Sequence, residues 1–242
     1  MLHKFIRKSL RKAANVFYRP YVLWRINRPN VVSLFDFRFE IRPGVFHPVY
    51  FHSTKILMRE IMKMPLAGKR VLDMGTGSGA IAVCAALKGA HVTAADVNSA
   101  AVELTKKNAA LNCASITVVQ SNLFADLDDC EFDLIIFNMP FYPTTAADYE
   151  EIAFKAGDSY KVIRDFAGQS IHHLGNRGLV VVIFSEDCGY GTLTKIFYDA
   201  GLRLHSESRH SAMFEDFFVV SYVVDRRQRE FDIRRWEPGT HN

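Results

Sequence analysis

The sequence predicts an α/β protein built on a doubly wound, seven-stranded and mostly parallel sheet. Short apolar runs alternate with helical patterns along most of the chain, which is typical of parallel strands covered by helices on both faces. The last two strand candidates, 203–208 and 217–224, are joined only by residues 209–216. A parallel pair needs a longer crossover, so we expect these two strands to form an antiparallel terminal pair.

Length and composition limit the class of protein. The chain has 242 residues, 49% of them hydrophobic, which suffices for one α/β domain with an appendage. Its 4 cysteines form no C-x-x-C pair, which argues against a zinc site or a disulfide framework. No apolar run reaches the ~18 residues that span a bilayer, and the N-terminus lacks the compact apolar run of a signal peptide. We therefore expect a cytoplasmic protein with no transmembrane segment and no bound metal.

Residues 1–44 are predicted to form a basic, amphipathic N-terminal extension with a helix that stops near Pro20. Lys and Arg recur through residues 1–28 without any acidic residue. Three interpretations stay open: a helix docked on the domain, an arm that binds an anionic macromolecule through residues 4–28, and a membrane-surface or organelle-targeting helix. Residues 31–41 alternate in part and suggest a strand or a hairpin.

An aromatic segment, 45–54, precedes the first strand of the predicted sheet. It contains Phe46 and two histidines, His47 and His52, which are candidate substrate contacts. Its aromatic rings could seal the end of the sheet or form a wall of a ligand site. The segment leads into a predicted helix, 55–63, with Ser53 or Thr54 as its N-cap.

A glycine-rich turn then follows the strand 70–74. Gly75, Gly77 and Gly79 can adopt left-handed backbone angles and allow a ligand to approach closely. The next helix, 80–87, presents its unpaired N–H groups at this turn. The second strand, 91–95, ends in Asp96, where a ribose hydroxyl is usually held. The turn therefore predicts a Rossmann-like fold that binds a nucleoside-bearing cofactor.

The remaining pattern repeats strand and helix. The predicted elements are a helix 100–111 capped by Asn98 or Ser99, strands 116–120 and 132–137, a helix 160–174, a turn at Gly175 and Gly178, a strand 179–184, a helix 192–200, and a surface tail 226–242.

Two features help to decide between cofactors. Gly75-x-Gly77-x-x-Ala80 also satisfies the looser dinucleotide pattern, so an NAD(P)-dependent oxidoreductase is the alternative. However, Asp73 at the end of the first strand would repel a pyrophosphate and would suit a cationic amino-acid group. The fourth strand delivers Asn138-Met139-Pro140-Phe141 to the carboxyl edge of the sheet, where ligands bind in open α/β folds.

With these residues, the chain from 45 to 225 resembles the class I S-adenosylmethionine-dependent methyltransferases. It is most similar to the HemK-type, methyltransferase small-domain group, whose signature is Asn-Pro-Pro-Tyr. The resemblance implies a methyltransferase domain at 45–225, with S-adenosyl-L-methionine as the cofactor. It also implies cofactor contacts from the closing segment (Phe46, Thr54), the turn (Asp73, Gly75, Gly77, Gly79), the ribose site (Asp96), the adenine site (Asn122, Leu123) and Asn138.

The residues at 138–141 suit transfer to a planar nitrogen. The Asn138 side-chain oxygen and the Met139 carbonyl can accept the two N–H bonds of an amide or ring-attached amine, while Pro140 keeps residue 139 extended and Phe141 stacks on the planar group. We therefore predict an N-methyltransferase whose acceptor is a protein glutamine, a nucleic-acid base or a small molecule. Met139 and Phe141 replace the signature Pro and Tyr, so a non-catalytic cofactor-binding module stays open as another alternative.

Overall fold

The computed structural model describes residues 30–49, 52–127, 131–139, 160–212 and 215–225. The basic segment 1–28, the tail 226–242, Pro140 and Phe141 lie outside these ranges. Within the ranges the elements are β1 (Asn30–Leu34), β2 (Phe37–Ile41), α1 (His52–Lys63), β3 (Arg70–Met74), α2 (Ala80–Leu87), β4 (His91–Asp96), α3 (Ser99–Leu111), β5 (Ile116–Gln120), β6 (Phe132–Phe137), α4 (Lys161–His173), β7 (Leu174–Ser185), α5 (Tyr190–Asp199), β8 (Leu202–Ala212) and β9 (Glu215–Val224).

The main sheet has seven strands in the order β5-β4-β3-β6-β7-β9-β8. The strands from β5 to β7 are parallel, whereas β9 runs antiparallel to both β7 and β8. The predicted fold class is therefore confirmed, including the antiparallel terminal pair. The chain winds outward in both directions from β3, so a crevice opens beyond the carboxyl ends of β3 and its neighbours β4 and β6.

Two hydrophobic cores cover the two faces of this sheet. Alternate residues of one strand enter different cores, as Val71 of β3 packs beneath α1 and α2 while Leu72 packs on the side of α4 and α5. Because both faces are covered, β6 and residues 179–184 of β7 are apolar at nearly every position, which is typical of parallel strands at the centre of a sheet.

The hairpin of β1 and β2 packs against α3. Leu34, Phe39 and Ile41 are buried in the same core as α1 and α2. Residues 30–41 thus share the core of the main domain, although the sequence pattern assigned them to the extension 1–44. The domain boundaries at residues 45 and 225 stay predictions.

Two local predictions were wrong. Helix α1 already includes His52, so Ser53 and Thr54 lie inside the helix, where their side chains are buried instead of capping its end. The turn predicted at Gly175 and Gly178 is part of the continuous strand β7, whose register against β6 shifts there. A Cβ at Gly178 would lie 2.8 Å from the Phe132 carbonyl oxygen, so glycine serves a close approach of two strands.

The predicted cap of α3 is confirmed, because the Asn98 side chain accepts a hydrogen bond from the Ala100 backbone N–H at 2.9 Å. Among the described helices, none combines the length and the apolar character that a membrane span requires.

Candidate functional site

A cavity of about 530 Å³ lies at the carboxyl ends of β3, β4, β5 and β6. Its volume falls within the range of small-molecule and cofactor sites, roughly 300–1,000 Å³. The glycine turn after β3 forms its floor, and residues 44–46 form part of its wall. The structure thus brings most of the predicted site residues to one place.

The glycine turn is shaped by three residues with left-handed backbone angles. Gly75 (φ 62°) and Gly77 (φ 57°) line the cavity, and a Cβ at Gly77 would lie 3.6 Å from the Cβ of Phe46 on the opposite wall. Gly79 (φ 79°) faces helix α3 instead, because a Cβ there would lie 2.9 Å from Cγ2 of Thr105. Gly79 therefore serves packing behind the turn and is not among the residues that line the cavity, so its predicted cofactor contact stays a prediction.

Asp73 is buried at the end of β3, where it lines the cavity and ties the strand to helix α2. Its Oδ2 accepts hydrogen bonds from Thr76 Oγ1 at 2.7 Å and from the Ala82 N–H at 3.1 Å. Burial raises the pKa of Asp73 to about 7, although both hydrogen bonds favour the carboxylate. The negative charge of Asp96 adds to this rise.

Asp96 is held at the end of β4 by two backbone donors. Its Oδ2 accepts from the Gly77 N–H and its Oδ1 from the Asn98 N–H, both at 2.9 Å. Burial raises the pKa of Asp96, and these hydrogen bonds oppose the rise. Each carboxylate oxygen keeps a second lone pair, so the group can still accept from a ligand hydroxyl.

One side of the cavity is closed by a contact that the sequence did not predict. Asn98 Nδ2 donates to the Gly44 carbonyl at 3.2 Å, which fixes residues 44–46 over the end of β4. The sequence pattern assigned Asn98 only to capping. Asn98 follows Asp96 by two residues and therefore lies at the same edge of the sheet. This spacing is the sequence signal from which its place at the cavity could have been predicted.

Asn122 and Leu123 line the cavity after β5, as predicted. Leu123 has a positive φ of 53°, and its carbonyl accepts from Ser121 Oγ at 2.7 Å. These contacts hold an apolar side chain beside the exposed Asn122. Val162 of α4 also lines the cavity. The residues around it gave no indication of this role, because a long connection separates α4 from the strand β6 that precedes it.

The far end of the cavity is formed by Asn138, which follows β6. Asn138 Nδ2 donates to Thr54 Oγ1 of α1 at 3.2 Å, and both residues line the cavity. Within the part of the chain that the structure describes, Asn138 Oδ1 accepts no hydrogen bond. The Met139 side chain is buried in the core, so this residue can act on a ligand only through its backbone.

One of the two candidate histidines is bonded within its own segment. His47 is buried, and its Nδ1 accepts from the Val49 N–H at 3.2 Å. The described side chains contain no group of three or more that could hold a metal ion.

The polar groups that line the cavity suit a cationic ligand that also carries hydroxyl groups. Two carboxylates, Asp73 and Asp96, line one cavity, and a positive group beside Asp73 would relieve the repulsion between them. The same carboxylates oppose a pyrophosphate. S-adenosylmethionine fits these residues, since Asp73 suits its ammonium, Asp96 its ribose, and Leu123 the face of its adenine.

Known proteins are similar to this chain in sequence. The model of the methyltransferase small domain family matches residues 36–203. An archaeal protein from Methanocaldococcus jannaschii, provisionally named a protein N5-glutamine methyltransferase, is 27% identical over 197 residues, which are 79% of this chain and 98% of that one. A release factor glutamine methyltransferase from Geobacter sulfurreducens is 36% identical over 116 residues, 47% of this chain, but only 39% of its own length is matched.

Solved structures share the fold. A 16S rRNA methyltransferase from T. thermophilus, in complex with AdoMet and guanosine, superposes with a TM-score of 0.63 and 19% identity, covering 81% of this chain and 50% of that one. The family match and the named relatives are methyltransferases, so the oxidoreductase alternative is not favoured. The chain therefore belongs to the methyltransferase small domain family and is an S-adenosylmethionine-dependent methyltransferase.

Proposed function

We propose that this enzyme methylates the nitrogen of a planar amide or of an amine attached to an aromatic ring, with the side-chain amide of a protein glutamine as the first candidate. The observation that carries the proposal is Asn138, which lies at the end of the cofactor cavity with its Oδ1 unpaired among the described residues. The names of the Methanocaldococcus jannaschii and Geobacter sulfurreducens relatives support glutamine as the acceptor class.

The chemical difficulty lies in the acceptor. An amide nitrogen is a poor nucleophile because its lone pair is delocalised into the neighbouring carbonyl group. Two hydrogen-bond acceptors that hold both N–H bonds turn this lone pair out of the conjugated plane. In our proposal Asn138 Oδ1 is one acceptor and the Met139 carbonyl oxygen is the other.

The position of Asn138 makes this assistance effective. Its amide is anchored through Nδ2 to Thr54 Oγ1, so the carbonyl oxygen is oriented without being consumed by that contact. Alignment of reacting groups contributes up to ~7–11 kcal/mol in favourable cases. S-adenosylmethionine supplies a methyl group on a cationic sulfur, from which the leaving group departs without needing a general acid.

Several further features belong to the same proposal. Pro140 and Phe141 would complete the acceptor site by fixing the backbone and stacking on the planar group, and both lie outside the described residues. The basic residues in 4–28 favour an anionic macromolecular partner. A cytoplasmic location is supported by Cys84 and Cys113, which are free thiols.

The test is transfer of a labelled methyl group to matched acceptors. A glutamine-containing peptide, the same peptide with glutamate, guanosine and an unstructured RNA would be offered to the enzyme with labelled S-adenosylmethionine. We expect label in the glutamine peptide and none in the glutamate peptide. Label on the exocyclic amine of guanosine alone would change the acceptor class, and label on carbon or oxygen only would overturn the nitrogen assignment.

The cofactor can be tested separately by thermal shift. S-adenosylhomocysteine at about 100 times its Kd should stabilise the folded protein by ~2.7 kcal/mol, whereas NADH at the same concentration should not. Stabilisation by NADH alone would argue for the oxidoreductase alternative.

A further inference from the structure

Asn108 of helix α3 joins two parts of the molecule that are distant in sequence. The residue is fully buried. Its Oδ1 accepts from the Glu40 N–H at 2.7 Å, and its Nδ2 donates to the Glu40 carbonyl at 3.0 Å and to the Ser78 carbonyl at 2.8 Å. One amide group therefore satisfies strand β2 and the glycine turn at the same time.

Asn112, one helical turn later, makes the equivalent contact with the hairpin. Its Oδ1 accepts from the Arg38 N–H at 3.0 Å, and its Nδ2 donates to the Arg38 carbonyl at 2.7 Å. Four residues of a helix rise by about 6 Å, and two residues of a strand rise by about 6.8 Å. The two asparagines therefore have the same spacing as alternate residues of β2. Their side-chain amides bond to the edge of β2 in the way that the backbone of a neighbouring strand would.

The two asparagines differ in burial, since Asn112 is half-buried at the C-cap of α3, and in the contact that remains to each side chain. Asn112 has its remaining contact with the Asn108 carbonyl inside α3, whereas Asn108 reaches the cofactor turn at Ser78. Thr105, three residues before Asn108, donates through Oγ1 to the Gly77 carbonyl at 3.1 Å. Helix α3 therefore holds two consecutive carbonyls of the turn, and because peptide groups are planar, it also sets the orientation of the N–H groups that follow them.

We propose that Asn108 is a positioning residue that couples the hairpin β1–β2 to the cofactor-binding turn, so that the hairpin supports cofactor affinity from outside the cavity. Asn112 anchors the same strand without this coupling. The proposal rests on the assignment of the cavity to S-adenosylmethionine. A contact shared between two elements transmits the state of each to the other, and such coupling is reciprocal by thermodynamic necessity.

The matched variants Asn108→Ala and Asn112→Ala test the proposal. Both should lower the free energy of unfolding, measured by urea denaturation. Only Asn108→Ala should raise the Kd for S-adenosylhomocysteine, by at least tenfold in titration calorimetry, while Asn112→Ala stays within twofold of wild type. Equal changes in Kd for the two variants, or no change in either, would overturn the coupling.

A second measurement on the wild-type enzyme decides the question even if Asn108→Ala does not fold. Saturation with S-adenosylhomocysteine should slow amide hydrogen exchange at Glu40, which donates to Asn108, by several-fold more than at Arg38, which donates to Asn112. Equal protection at both amides would contradict the proposal. If the wild type does not bind S-adenosylhomocysteine, the assignment of the cavity to the cofactor fails. If the wild type binds but protects both amides equally, the cofactor assignment stands and only the coupling through Asn108 fails.

Discussion

The cofactor side and the proposed acceptor side of the cavity are built differently. On the cofactor side, Asp73 and Asp96 each accept two hydrogen bonds from the turn or the adjoining helix ends. On the acceptor side, Asn138 is anchored by one bond of 3.2 Å to Thr54 and leaves Oδ1 unpaired among the described residues. The first arrangement fixes the shape of the turn, and the second leaves an amide oxygen available to a ligand.

The contrast assigns stability and cofactor affinity to one part of the cavity and turnover to the other. A turn whose polar groups are tied to the backbone is pre-formed for a ligand, so changes there should alter stability and cofactor affinity together. An anchored side chain with an unpaired oxygen contributes little to folding, so changes there should alter turnover alone. Substitutions on both sides of the cavity test this contrast.

The largest expected effect comes from one methyl group behind the turn, in Gly79→Ala. The positive φ costs ~1–2 kcal/mol for alanine, and the approach of 2.9 Å to Thr105 adds ~1–3 kcal/mol of overpacking. Gly44→Ala is the control, since Gly44 has a similar φ of 77° but nothing within 4 Å of the added Cβ. Urea denaturation should show the larger loss at Gly79, and equal losses would contradict the packing account.

Asn138→Ala should reduce kcat by about 10²–10³-fold, or ~3–4 kcal/mol, because a positioned polar contact of the transition state is lost. The Kd for S-adenosylhomocysteine should stay near the wild-type value. Thr54→Val keeps Asn138 but removes its anchor, and should cost about tenfold in kcat. A collapse of cofactor affinity in Asn138→Ala with substantial residual turnover would show that the residue belongs to the cofactor side.

Asp73→Asn should change how stability depends on pH. In the folded protein Asp73 holds its proton up to about pH 7, whereas the unfolded chain releases it near the usual value of 3.8. As the pH rises between these values, the unfolded chain binds fewer protons than the folded one, so the wild-type free energy of unfolding falls. The variant lacks this slope and should gain on the order of 2–4 kcal/mol relative to wild type between pH 4 and pH 8.

The control for the Asp73 experiment is Asp199→Asn, which removes an exposed carboxylate paired with Lys195. Its stability should follow the wild type within about 0.5 kcal/mol across the same pH range. If the free energy of unfolding of Asp73→Asn also follows that of the wild type, the Asp73 carboxylate is ionised in the folded protein across this pH range.

Asp96→Ala should weaken binding of S-adenosylhomocysteine by ~1.5–3 kcal/mol, the value of a charge-assisted hydrogen bond. Asp96→Asn, which keeps one carbonyl oxygen, should lose less. Titration calorimetry of both variants measures the effect, and an unchanged affinity in the alanine variant would remove the ribose contact from Asp96.

The sequence was most informative where the signal is local. Strands 116–120 and 132–137 and the helix 80–87 have the predicted bounds, because apolar periodicity and the flanking turns decide them. The cavity also contains Asp73 and Asp96, whose positions follow from strand ends that share one edge. Motif spacing and sheet topology therefore suffice to place these two carboxylates.

Contacts between distant segments could not be predicted in this way. Thr54 reaches Asn138 across 84 positions and Arg38 reaches Asn112 across 74, so neither contact leaves a local pattern. Gly79 belongs to the same motif as Gly75 and Gly77, but only the packing of α3 against the turn shows that it faces away from the cavity. Tertiary packing decides such details after the local elements have formed.

The buried side chain of Met139 also bears on how the motif can vary. A flexible, unbranched thioether packs in the core at this position, where the Asn-Pro-Pro-Tyr signature has a rigid ring. The side chain at this position therefore has to suit the packing of the core as well as the course of the backbone. A search pattern that insists on proline there would overlook chains like this one, in which neighbouring core residues accommodate methionine.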